Sequence, residues 1–205
     1  MDFYSYNSAA VLAYTGSGPE PWLTREVLAE IRGLLDDVRL SGLFQGIVLA
    51  LDTSGFPAGA SVQEIASAKG ATAHGFGPSS QFLCNLIERF PIPIVAAVRG
   101  YCVGASMDLV LTCHARLASY DTSFTHAGAS MGLVTSWFGI VRLIRVLGRA
   151  AAAQVLATNA RVPATQALTL GLVDELVPAA DLIEAAARRV AHIARRRAEN
   201  GNWQL

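Results

Sequence analysis

Two apolar runs, each followed by a glycine turn and the same tripeptide, restrict this chain more than any other feature. "GIVLAL" at 46–51 leads to Gly59-Ala60-Ser61, and "PIPIVAAV" at 91–98 leads through Arg99-Gly100 to Gly104-Ala105-Ser106. Neither run alternates with polar residues, which suits a strand buried on both faces. The order of strand, loop and tripeptide is the same both times, an internal echo of one supersecondary unit. Gly and Ala are common in this chain, so the three matching residues alone are also compatible with chance.

Helical patterns separate the strands. From Trp22 to Leu40 the apolar positions Leu23, Val27, Ile31, Leu34, Leu35 and Val38 recur at three and four, as on an amphipathic helix. The Gly/Ala/Ser-rich stretch at 66–80 reads as a loop, with a helix from Ser79 to Phe90 after it. Further helices are expected over 105–113, 136–147, 149–157 and 164–170, strands over 115–119 and 171–178, and a last helix from Pro178 to the arginines. Strands alternating with helices predict an α/β protein with a mainly parallel sheet. A chain of 205 residues accommodates that as one domain, 1–205.

Charge narrows the partners. Sixteen basic and sixteen acidic side chains cancel, so no overall field draws nucleic acid or an anionic membrane, and Arg195, Arg196 and Arg197 read as a solvated helix end. No apolar stretch approaches the roughly 18 residues of a membrane span. The start, "MDFYSYNSAA", lacks the basic and apolar regions of a signal peptide. Cys84, Cys102 and Cys113 form no C-x-x-C pair, which points to a reducing cytoplasm, and the four histidines lack ligand spacing, so no metal site is expected. With 52% hydrophobic and 16% charged residues, some apolar surface is expected to be covered by neighbouring subunits.

A glycine between a strand end and a helix start permits a tight turn, and the small residue after it keeps its own N–H uncovered. Two such groups aimed at one point make a hole for a developing oxyanion. The candidates are the amides of Ala60 and Ala105.

The fragments "IVLALDTSGFPAGAS", "PIPIVAAVRGYCVGASMDLVLTCHARLAS", "FTHAGASMGLVTSWFGIVRLIRVLG" and "ALTLGLVDELVP" resemble, in order and spacing, the enoyl-CoA hydratase/isomerase (crotonase) family. The likeness runs from about Val11 to Pro178. It implies a crotonase/ClpP-like spiral of strand-strand-helix units and a homotrimer or dimer of trimers. It also implies an acyl thioester substrate, carried by coenzyme A or an acyl carrier protein, with coenzyme A as part of the substrate and no separate cofactor. The family's two oxyanion donors match Ala60 and Ala105. Ala58, Gly59, Ser61 and Gly104 of these turns, with Gly128, Ser136 and Trp137 of the third fragment, are the implied substrate-binding residues. Ser136 also suits a helix cap, and Trp137 and Phe138 suit either the acyl chain or the core.

The chain departs from the family where acid–base chemistry is done. Hydratases of the family use two glutamates; the first matches Asp108, a shorter carboxylate, and the second matches Gly128, which has no side chain. Losing one of a pair that divides acid and base work disfavours water addition, while Asp108 alone suffices to move a proton between carbons. Asp108 equally suits a first-turn aspartate favoured by the helix dipole. The region after Val177-Pro178 is short relative to the family, so part of a coenzyme A pocket is expected to be missing or borrowed.

Two alternatives stay open. "VGASMDL" and "THAG" faintly resemble the serine and histidine segments of the ClpP peptidases, which makes Ser106 and His126 a candidate nucleophile and base for acyl hydrolysis. The other is a catalytically inactive binding protein on the same fold.

Overall fold

The computed structural model describes residues 1–14, 22–61, 71–128, 132 and 137–199, with the backbone alone described at 53–58 and 71–77. Along the chain run β1 (Asp2–Tyr6), β2 (Ala9–Tyr14), α1 (Arg25–Ser41), β3 (Gly46–Ala58), α2 (Ala71–Glu88), β4 (Ile94–Val103) and α3 (Ala105–Val110). They are followed by β5 (Ala115–Ser119), β6 (Ser123–Thr125), α4 (Gly139–Leu147), α5 (Arg149–Thr158), β7 (Val162–Pro163), α6 (Ala164–Thr169), β8 (Glu175–Val177) and α7 (Leu182–Glu199).

The strands join in one sheet in the order β1-β2-β3-β4-β5-β8, with β6 and β7 branching from β4. The pairs from β2 through β5 to β8 are parallel, and β1 is folded back antiparallel on β2. The α/β reading therefore holds, as a single domain.

The continuous apolar runs are explained by burial on both faces. Ile47, Leu49 and Leu51 of β3 and Ile94, Ala96 and Val98 of β4 join Leu28, Ile31, Leu35 and Val38 of α1 and Leu83, Cys84 and Ile87 of α2 in one core. The alternate residues Val48, Ala50, Val95 and Ala97 turn to the other face and pack against Leu182, Ala186 and Val190 of α7. Period-two alternation along the strands thus feeds two cores instead of one core and solvent. The three cysteines are free and buried.

Several expected boundaries are corrected. Leu23 lies outside α1: it forms an isolated parallel bridge with Ala60, and the helix starts after Thr24, whose Oγ1 accepts the Val27 N–H at 3.3 Å. Residues 71–80, expected as loop, belong to α2, which carries Pro78 inside it; residues 66–70 lie outside the described residues. Arg99-Gly100 is not a turn. Strand β4 continues through it, pairing with β5 at Val95–Val98 and with β6 at Tyr101–Val103, so the sheet forks there. The expected strand at 171–178 shrinks to β8, and the helix expected from 136 begins at Gly139.

Candidate active site

The two glycine turns leave the carboxyl ends of neighbouring parallel strands. Ala58 of β3 is in register with Cys102 of β4, and the chain after each strand enters its turn at once. A Cβ on Gly59 would meet the Val103 carbonyl oxygen at 3.2 Å, so the two turns are pressed against one another. A side chain in place of Gly59 would require the Val103 carbonyl to give way by a few tenths of an ångström.

Peptide geometry fixes where the two amides point. The Gly59 carbonyl accepts the Leu23 N–H at 2.7 Å. In a trans peptide the C=O and the following N–H point in opposite directions, so the Ala60 N–H is turned away from Leu23. The same logic applies at the second turn. The Gly104 carbonyl accepts the Asp108 N–H at 3.0 Å within α3, which turns the Ala105 N–H outward from the start of that helix. Gly104 has φ 55° and ψ −112°, a conformation that L-residues with a Cβ rarely adopt.

Asp108 is buried, 2% exposed, in the first turn of α3. Its Oδ1 lies 3.3 Å from Nε2 of His126, which follows β6 and is 5% exposed as a residue. The carboxylate also packs on the backbone of Gly139, the first residue of α4, where a Cβ would overlap Asp108. Short strand β6, held to the end of β4, thus delivers His126 to the carboxylate on α3.

Ser106 and His126, the alternative pair, share no hydrogen bond in this structure. Ser106 is 1% exposed and its Oγ has no hydrogen-bond partner among the described residues, while His126 offers Nε2 to Asp108. Burial of a serine hydroxyl without a base leaves it an ordinary, weak nucleophile. Trp137 is 2% exposed and belongs to the hydrophobic core, and Gly128 is half-buried. Ser136 lies outside the described residues. Met107 is core, as its burial of 0% exposure shows.

Sequence reasoning missed a buried polar cluster under α4. Arg142, 5% exposed, donates to the Trp137 carbonyl at 2.6 Å, to Asn85 at 3.0 Å and to Glu88 at 2.9 Å. Glu88 also holds Arg145 at 2.8 Å. No spacing rule joins α2 to α4, so only the fold reveals it. Nearby Cys84 has its thiol pushed up to about 12, by burial above all, with the Asp108 and Glu88 carboxylates adding to the rise.

The sequence profile of the enoyl-CoA hydratase/isomerase family matches residues 14–200. The chain belongs to that family. Among solved structures, a probable enoyl-CoA hydratase/isomerase from Mycobacterium abscessus is 25% identical, with 91% of this chain and 72% of that one covered at a TM-score of 0.80. Pseudomonas aeruginosa DspI is 23% identical, with 95% and 80% covered and a TM-score of 0.86. An enoyl-CoA hydratase from Polaromonas sp. JS666 is 24% identical, with 94% and 76% covered and a TM-score of 0.85. These likenesses establish the crotonase fold. No helix among the described residues is long and apolar enough to cross a membrane.

Proposed function

We propose that this enoyl-CoA hydratase/isomerase family protein binds an acyl thioester, of coenzyme A or an acyl carrier protein, and isomerises it through an enolate. The observation that carries the reading is the abutment of the two glycine turns at the ends of β3 and β4, with the Ala60 and Ala105 amides each turned away from their own internal hydrogen bonds. Two main-chain donors for one carbonyl oxygen stabilise the charge that develops when a carbon acid beside the thioester ionises.

In this mechanism Asp108 carboxylate takes a proton from the allylic carbon; the C–H electron pair moves through the conjugated system onto the thioester oxygen. The proton then returns from Asp108 to a different carbon, the enolate collapses, and the double bond has migrated. His126 holds the carboxylate in place by the contact of its Nε2 with Asp108 Oδ1. No second carboxylate stands at Gly128 to activate water, which favours isomerisation over hydration.

The same reading carries a homotrimer or dimer of trimers, located in the cytoplasm and working in fatty acid metabolism. Phe138, just before α4, and Val141 and Ile144 on it are exposed apolar side chains that suit contact with another copy. Sedimentation analysis tests the assembly.

Short and medium 2-enoyl- and 3-enoyl-CoAs, followed by absorbance and product mass, test the activity. Double-bond migration without gain of water is expected, and Asp108→Asn should lose about 10²–10⁴-fold in rate. Thioester that binds but returns unchanged would leave the inert binding protein as the correct reading.

A further inference from the structure

A separate cavity lies at the opposite end of the sheet. A cavity of about 630 Å³ is lined by His114 and Ala115 at the start of β5, by Asp174, and by Arg189, His192, Ile193, Arg196 and Arg197 of α7. The glycine turns sit at the carboxyl end of β4, whereas His114 is clamped to its first residue: the His114 N–H donates to the Ile94 carbonyl at 2.8 Å, and the Ile94 N–H donates to His114 Nδ1 at 2.9 Å. Ten residues of extended strand separate the two ends, roughly 30 Å. Helical spacing brings Arg189, Ile193 and Arg196 onto one stripe of α7 that faces this edge.

The charges in the cavity are unequally matched. Arg189 is held by Glu175 at 2.9 Å, and Asp174 by Arg116 at 3.4 Å. Arg196 and Arg197 have no ion-pair partner among the described residues, and Arg197 is half-buried, so a guanidinium is partly desolvated with no counter-charge. Uncompensated charge of this kind favours an incoming anion.

His114 adds a directed donor. Because Nδ1 accepts the Ile94 N–H, its lone pair is occupied by that bond, and the neutral ring carries its proton on Nε2. That N–H is closed off from water and has no partner among the described residues. His114 thus sets in the cavity wall a buried donor that no side chain among the described residues uses. Ile193 and Ala115 supply an apolar wall beside these donors, and the volume exceeds that of a lone oxyanion and falls in the range of small-molecule sites.

We propose that this cavity binds a phosphate-bearing small molecule, its phosphate held by the guanidinium forks of Arg196 and Arg197 and its organic part against Ile193 and Ala115. A tetrahedral dianion matches paired forks better than a monocarboxylate does.

The full chain, in a buffer without phosphate, is titrated with inorganic phosphate, a sugar phosphate and acetate at equal ionic strength, by calorimetry and by the imidazole resonances of His114 and His192. Saturable binding of one sugar phosphate per chain is expected, tighter than inorganic phosphate, with both histidines shifting. Arg197→Gln should weaken it by at least about tenfold, the worth of one lost charge-assisted bond, and Arg196→Gln with Arg197→Gln should abolish it. Acyl-CoA affinity of that double variant should stay unchanged, which separates this site from the thioester site. Absence of saturation, equal binding of acetate, or undiminished affinity in the double variant would overturn the proposal.

Discussion

The carboxylate of Asp108 occupies the space that a Cβ on Gly139 would need. The first residue of α4 and the buried acid of α3 are therefore one packing unit, and α4 can begin where it does only with glycine in that position. Gly139→Ala should cost about 1–3 kcal/mol of stability by overpacking and should displace the acid that the isomerase reading depends on. In an Asp108→Ala background the same substitution should cost less, since the space is vacated. Urea melts of the four proteins check this, and strictly additive costs would break the link.

Gly104 holds φ at 55° and ψ at −112° immediately before the Ala105 amide. Gly104→Ala should lose about 1–3 kcal/mol through backbone strain. Relaxing that strain rotates the peptide plane that carries the Ala105 N–H. Turnover should accordingly fall further than substrate affinity, because a misdirected donor fails the enolate more than the ground-state carbonyl. Separate kcat and KM values for the variant are the check; a change in KM alone would remove Ala105 from the oxyanion role.

What could be read from the residues follows the physics of burial. Strands β3 and β4 announce themselves because both faces are covered and the runs have no polar interruption. The second half of β4 is hidden. Arg99-Gly100 looks like a turn until Asp52 and Asp121 are seen beside the Arg99 guanidinium at 3.5 and 3.6 Å, and Arg161 over the ring of the next residue, Tyr101, at 4.6 Å. Those partners are distant in sequence, so no local pattern encodes them. The start of α2 is masked by its Gly, Ser and Pro content, whereas Leu83, Cys84 and Ile87 show that packing decides it. The β1–β2 hairpin went unread although Asn7, at φ 53°, is the turn signal. At the site, the turns and Asp108 were legible as residue types, but the partner of His126 was not: Ser106 and Asp108 lie on the same short helix, and which of them faces β6 depends on how α3 packs.

His114 supplies a pH dependence of stability. Burial, with Arg197 as a second cause, lowers its pKa from 6.5 to about 4. Between those values the unfolded chain binds the proton and the folded one resists it, so the folded state loses stability as pH falls through this window. The contribution is full above about pH 6.5 and amounts to no more than about 3 kcal/mol. His114→Asn should flatten the pH profile of the unfolding free energy between pH 4 and 6.5. An unchanged slope would mean that another group carries it.

Glu88 stands between two arginines that differ in burial. Arg142 is 5% exposed on its side chain and Arg145 is 67% exposed, yet each meets a Glu88 oxygen at nearly the same distance, 2.9 and 2.8 Å. Distance alone would rank the two contacts as equal; solvation does not. Arg145→Ala should cost less than about 1 kcal/mol, because water and salt already screen that pair. Glu88→Ala removes the counter-charge of a buried guanidinium and should cost several times more, on the order of 3 kcal/mol. Arg142 would keep Asn85 and the Trp137 carbonyl, which limits the loss but neutralises no charge. Since Arg142 also fixes the backbone just before α4, Glu88→Ala should disturb the α4 start where Asp108 packs, and turnover should fall along with stability. Raising salt should weaken the Arg145 contribution and leave the Arg142 contribution nearly intact. Equal costs for Glu88→Ala and Arg145→Ala at every salt concentration would show that burial of Arg142 plays no part.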